Sequence, residues 1–197
     1  MIGVSVLECP VLNLAEVRRY ARVMGEDSFT DALIEKCFAE AEPVLSYKAC
    51  YVTADINHMD GLLQIGTIST DSKLLLKALN GCERAVIFAA TIGAPYDRLI
   101  AKYSRLSPAK ALLFQALGAE RAEALCDAFV HRYAQEHDCK LKPRVSPGYG
   151  DIPLAMQCDI FALLDCPRKI GLTLNESLLM SPSKSVTAIV GIRNNAE

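Results

Sequence analysis

The sequence has no tryptophan, no long apolar run and almost no net charge. Its 21 lysines and arginines stand against 23 aspartates and glutamates, leaving −2, and no stretch is strongly basic. A protein that holds nucleic acid or an anionic membrane surface by charge needs a concentrated basic field, so neither partner is expected. The longest uninterrupted apolar run, Ala85 to Ala90, has only six residues, whereas a membrane-spanning helix needs about 20. No cationic residue precedes Arg18, unlike the charged start of a secretory or transit signal, and a cytoplasmic location is expected.

Metal spacing is also missing. The eight cysteines fall at 9, 37, 50, 82, 126, 139, 158 and 166, and no two form a C-x-x-C pair. The one cluster with histidine, Cys126, His131, His137 and Cys139, begins with residues five apart, which do not share a helical face. No zinc or iron–sulfur site is therefore expected, and the cysteines read as reduced thiols packed like small hydrophobes. A phosphate-binding Walker loop, a Gly-x-Gly-x-x-Gly fingerprint and a Ser/His/Asp arrangement are absent as well.

What is present is a chain of 197 residues, 51% of them hydrophobic, with a mean hydropathy of +0.20. That length fits one domain able to build a core without staples. Asn13 with Glu16 is a capping-box variant that starts a helix over 14–24, and Ser28 with Asp31 starts a second that Pro43 stops. Residues 44–54 and 62–68 read as strands separated by a loop over 57–61, and a short helix around 74–79 ends at Asn80-Gly81. Arg84 to Thr91 reads as a buried strand. Ser107 as cap and Pro108 at the first helical position launch an alanine-rich helix to about Gln135. A further helix over 154–164 precedes a strand pair, 170–175 and 185–192, joined by a turn near Ser181-Pro182-Ser183. Helices and strands do not alternate cleanly, so the expected class is α+β, a single mixed domain with a mainly antiparallel sheet, long helices and a C-terminal strand pair.

Between the long helix and the next lies the loop Arg144-Val-Ser-Pro-Gly-Tyr-Gly-Asp-Ile-Pro153. Pro147 stiffens it, Gly148 lets the main chain approach a flat ligand, and Tyr149 offers a ring face with a polar tip. Arg144 supplies a planar two-pronged donor suited to a carboxylate. A small-molecule site and an ordinary surface turn are both compatible with these residues alone.

Taken with Pro153, Ile170-Gly-Leu-Thr-Leu-Asn-Glu-Ser177, Met180-x-Pro182 and Ser185-Val186, the loop resembles the C-terminal activation domain of cobalamin-dependent methionine synthase, which binds S-adenosylmethionine. The resemblance is strongest over 144–192, weaker over 88–136 (Thr91-Ile92-Gly93 and Ala122-Glu123-Ala124), and without a motif over 1–80. It implies a short stand-alone form of that domain, folded as one unit over 1–197. It also implies that Arg144 holds the ligand carboxylate, that main-chain groups at Val145 contact adenine, and that Gly148 and Tyr149 border the ligand where a cobalamin module docks. Glu123, Glu176 and Ser177 are further candidates. An acidic partner for the ligand amine is also implied, with Asp55 and Asp60 as candidates against a reading as solvated charges. Asn175 stands where the family usually has Thr.

The implied activity is reactivation of a cobalamin-dependent methyltransferase, methionine synthase above all, by reductive methylation of cob(II)alamin on a partner. No catalytic residue of this chain is implied. Cobalamin would come from the partner, and the electron from a flavodoxin- or ferredoxin-type donor. Alternatives are another corrinoid protein as client, or a non-enzymatic binding protein that keeps the fold. His58 is read as a loop histidine and not a cobalt ligand, because Asp55 is one residue too distant for an Asp-x-His-x-x-Gly pattern.

Overall fold

The computed structural model describes residues 1–25, 27–59 and 62–193. Its centre is an antiparallel sheet in the order β4-β3-β2-β5-β9-β6: Ile68–Thr70, Leu62–Ile65, Lys48–Met59, Cys82–Thr91, Ser185–Arg193 and Lys140–Leu141. β1 (Gly3–Val6) pairs with the start of β2, and β3 pairs with its end, so both share one edge of that strand. A separate ribbon joins β7 (Thr173–Leu174) to β8 (Met180–Ser181). This is the α+β, mainly antiparallel arrangement with a C-terminal strand pair that the sequence predicts. Among the described residues no helix is long and apolar enough to cross a membrane.

Helices cover the sheet on both sides. On one face Val86, Phe88, Ala90, Ala188 and Val190 meet Phe114, Leu117, Leu125 and Phe129 of α5 (Pro108–Glu136), with α1 (Leu14–Ala21), α2 (Ser28–Ala41) and α4 (Ala94–Leu106) around it. On the other, Ala85, Ile87, Ala89 and Ile189 meet Ile160 and Leu164 of α6 (Met156–Leu164) and Cys166 of α7 (Cys166–Ile170). A strand buried on both faces has no polar side to display, which is why β5 and β9 are nearly continuous apolar runs.

Local signals in the sequence set several element ends. Asn13 accepts the Glu16 N–H at the start of α1, Ser107 accepts the Lys110 N–H at the start of α5, and Gly81 sits at φ +73° just after α3 (Lys73–Ala78). Other boundaries differ. α1 stops at Ala21 because Arg22 turns left-handed, and Asp27 rather than Ser28 caps α2, accepting from Phe29 and Thr30. β2 runs on to Met59, since Ile56–Met59 find partners in β3, so Asn57 and His58 lie in a strand and not in a loop. The strand expected over 170–175 is shortened to Thr173–Leu174, because Ile170 ends the short helix α7 and Gly171 caps it at φ +70°. The second strand of the C-terminal pair is β8, while 185–193 joins the main sheet between β5 and β6.

Candidate functional site

The 144–153 loop is fixed at both ends. Val145 exchanges both main-chain hydrogen bonds with Ile189, donating its N–H at 3.0 Å and accepting at 2.8 Å, which lays Arg144–Ser146 against the outer edge of β9. The chain then turns away at Gly148, φ +90°, where the Gly148 N–H reaches the Ile152 carbonyl at 2.9 Å. Gly150, φ +56°, lies over Leu74, and a Cβ there would come within 2.8 Å of the leucine Cδ2. Asp151 anchors the far end at the start of α3. It accepts from the Ser72 hydroxyl at 2.6 Å and from the Lys73 and Leu74 N–H groups at 2.7 and 3.1 Å. The Ser72 hydroxyl, with the two main-chain donors behind it, holds the Asp151 carboxyl below its ordinary range.

Between this loop, β9, α5 and α6 lies a cavity of about 460 Å³, within the range of small-ligand sites. Arg144, Val145, Tyr149 and Glu123, four residues singled out in the sequence, all line it, together with Leu74, Gln157, Met180 and Thr187. Tyr149 is 69% exposed at the rim. Gly148 shapes the turn between Pro147 and Tyr149. Arg144 reaches back to α5, where its two terminal nitrogens donate to Asp127 and Glu123, residues one helical turn apart. Burial works against its charge, but the two carboxylates outweigh burial and raise the guanidinium above its ordinary value. These bonds use two of its five N–H donors. Cys126 lies between these carboxylates in sequence and faces the core, where burial pushes its thiol up to about 12.

The remaining candidates stand apart from the cavity wall. Glu176 and Ser177 belong to the turn between β7 and β8, in which the Asn175 side chain accepts the Ser177 and Leu179 N–H groups, each at 2.9 Å. That closure is what asparagine supplies at this position. Asp55 is exposed on β2 opposite Arg84. Cys50, Ala89 and Thr187 form one row across the sheet, so Asp55 sits five residues, about 17 Å, along the strand from the cavity's row. Asp60 lies outside the described residues. Asp127 was not marked by the sequence reading. Its i,i+4 relation to Glu123 on a helix was the available signal, but only the tertiary fold brings Arg144 to the pair.

A scan against protein-family models finds no match, and a comparison with curated proteins finds none either. Among solved structures, the chain is similar to one described as the crystal structure of the MetH reactivation domain bound to AdoHcy. The TM-score is 0.69 at 15% sequence identity, over 100% of this chain and 80% of that one. The shared feature is the fold: an antiparallel sheet between helices, of the reactivation-domain type.

Proposed function

We propose that this protein binds S-adenosylmethionine in the Arg144 cavity and presents it, in the cytoplasm, to a corrinoid carried by a partner, methionine synthase above all. The observation that carries this reading is a guanidinium with uncommitted donors at the wall of a ligand-sized cavity, in a fold similar to a domain seen with AdoHcy. Arg144 holds the ligand carboxylate through a two-point contact. Glu123 supplies negative charge for the ligand amine, the role for which Asp55 and Asp60 were candidates. The exposed ring of Tyr149 borders the mouth through which the sulfonium methyl faces the partner. A corrinoid held by the partner, once reduced by one electron from a flavodoxin- or ferredoxin-type donor, would supply the electron pair that accepts the methyl group, with S-adenosylhomocysteine as the leaving group that keeps the carbon–sulfur bonding pair. No proton moves, so the chain contributes placement and not acid–base chemistry.

The clamp on Arg144 favours a second reading, in which the arginine is purely structural and the chain is a binding protein that keeps the fold without the ligand. Titration calorimetry with S-adenosylmethionine and S-adenosylhomocysteine decides between them. Saturable binding supports the proposal. No heat up to millimolar ligand, with and without a corrinoid protein present, overturns it.

A further inference from the structure

Among the described residues the Arg144 cavity takes one lining residue from the 1–80 segment, Leu74, and a side chain 77 positions further along the chain holds it there. Leu74 is the second residue of α3, a six-residue helix whose first N–H groups have no partner within the helix. Asp151, at the far end of the 144–153 loop, supplies the partner. One carboxylate oxygen accepts the Lys73 N–H, and the other accepts the Leu74 N–H and the Ser72 hydroxyl. Ser72 is itself buried and fixed, since its hydroxyl accepts the Leu75 N–H and its own N–H reaches the Thr70 hydroxyl. Asp151 is exposed and does not line the cavity.

The two ends of the loop are therefore held by different means. The near end is bound main chain to main chain, Val145 against Ile189 of the central sheet. The far end rests on a single carboxylate. Between them the turn has only local main-chain bonds, from Tyr149 to Ser146, from Gly148 to Ile152 and from Ile152 to Tyr149. Gly150 lies against the Leu74 side chain, so the turn and the start of α3 are packed together as well as pinned together. A pin made by an exposed carboxylate adds little to global stability. Its loss would instead open one local unit, the Leu74 wall together with the Tyr149 turn.

We infer that Asp151 is a positioning residue for the cavity, setting ligand affinity by holding Leu74 and the 147–150 turn in the arrangement that binds; the inference rests on the S-adenosylmethionine reading. A ligand that binds only this arrangement loses affinity in proportion to how rarely the arrangement is populated. If removal of the pin leaves it populated about a tenth of the time, binding weakens about tenfold. Because Asp151 acts in part through Leu74, the effects of the two residues on affinity are coupled and not additive. Asparagine at 151 would keep one acceptor oxygen but set an amide NH2 where the second is needed, so it restores only part of the pin.

The test is calorimetric titration of S-adenosylhomocysteine, well below the melting temperature, into the wild type, Asp151→Ala, Asp151→Asn, Leu74→Ala and the double variant Asp151→Ala with Leu74→Ala. Hydrogen exchange over 144–153 in the free proteins reports the pin directly. Asp151→Ala should bind about tenfold more weakly, and Asp151→Asn about threefold. In the Leu74→Ala background the Asp151→Ala loss should shrink to about threefold. The Gly148 and Ile152 amides should exchange faster in Asp151→Ala while β5 and β9 keep their protection. Unchanged exchange in that loop, a loss of equal size with and without Leu74, or a lower melting temperature with unchanged affinity overturns the inference. A wild type and an Asp151→Ala variant that bind S-adenosylhomocysteine equally well leave the parent reading standing; a wild type that does not bind it removes both.

Discussion

Arg121 and Arg144 both meet carboxylates projected from α5, and their surroundings separate a latch from the group proposed to bind ligand. Arg121 is fully buried. Its guanidinium donates to both oxygens of Glu120 at 2.5 Å and to the Pro10 and Val11 carbonyls at 2.6 and 2.9 Å, while Glu120 also accepts the Asn13 N–H at 3.2 Å. Those contacts pin residues 10–13 against the long helix and leave little room for a ligand to compete. Arg144 has the same charge and similar partners, but about a quarter of its side chain is exposed, and so are 44% of Glu123 and 70% of Asp127. A pair in water is worth little and exchanges easily, whereas a buried one cannot lose a partner without stranding a charge.

The sharpest way to break this comparison is to remove each arginine and read stability. Arg121→Met should cost about 3–5 kcal/mol, because Glu120 stays buried without its partner. The double variant Arg121→Met with Glu120→Leu should recover part of that loss, since no charge is left buried, while the Pro10 and Val11 carbonyls and the Asn13 N–H still lose their side-chain partners. Chemical denaturation of both variants checks it. A single variant as stable as the wild type would show that the N-terminal segment is not held by this pair.

Arg144 should show the reverse pattern, little change in stability and a large change in binding. A charge-assisted hydrogen bond contributes ~1.5–3 kcal/mol, so Arg144→Ala should weaken S-adenosylhomocysteine binding roughly tenfold to over a hundredfold. Stability should move by no more than about 1 kcal/mol, the range of exposed ion pairs. Arg144→Lys should restore only part of the affinity, since one compact ammonium cannot make the two-point contact. Calorimetry and melting temperature on the same two proteins test this. Unchanged affinity in both would make Arg144 a second, weaker latch.

The contrast also shows what the sequence could reveal. The site loop was legible because its chemistry is local: Pro147, Gly148 and Tyr149 stand in a row, and Arg144 precedes them. Caps at Asn13 and Ser107 were legible for the same reason. Wherever a residue's role depends on a distant partner, the sequence was silent. Nothing near Thr187 marks it as lining the cavity, since that follows from β9 lying beside Val145. The extension of β2 through His58 depends on β3, and the Arg121 latch on a segment about 110 residues away. Apolar runs buried on both faces carry no alternation to read, so the assignment of 185–193 to the main sheet also had to come from tertiary packing.

The smallest expected effect separates the two carboxylates on Arg144. Glu123 lines the cavity and Asp127 does not, so in the proposed complex Glu123 would serve the ligand amine and Asp127 would only compete with the ligand carboxylate for the guanidinium. Asp127→Asn should therefore tighten S-adenosylhomocysteine binding about two- to fivefold, corresponding to the modest worth of an exposed pair. Glu123→Gln should weaken binding by a similar factor, because the ammonium loses a counter-charge while the guanidinium gains a free donor. Opposite signs from two acids one helical turn apart are hard to obtain from a general change in surface potential, which would push both variants the same way. S-adenosylhomocysteine suits the comparison because it lacks the sulfonium charge that a nearby acid would otherwise attract. Equal shifts in both variants would mean that the pair acts as one clamp and that the amine partner lies elsewhere.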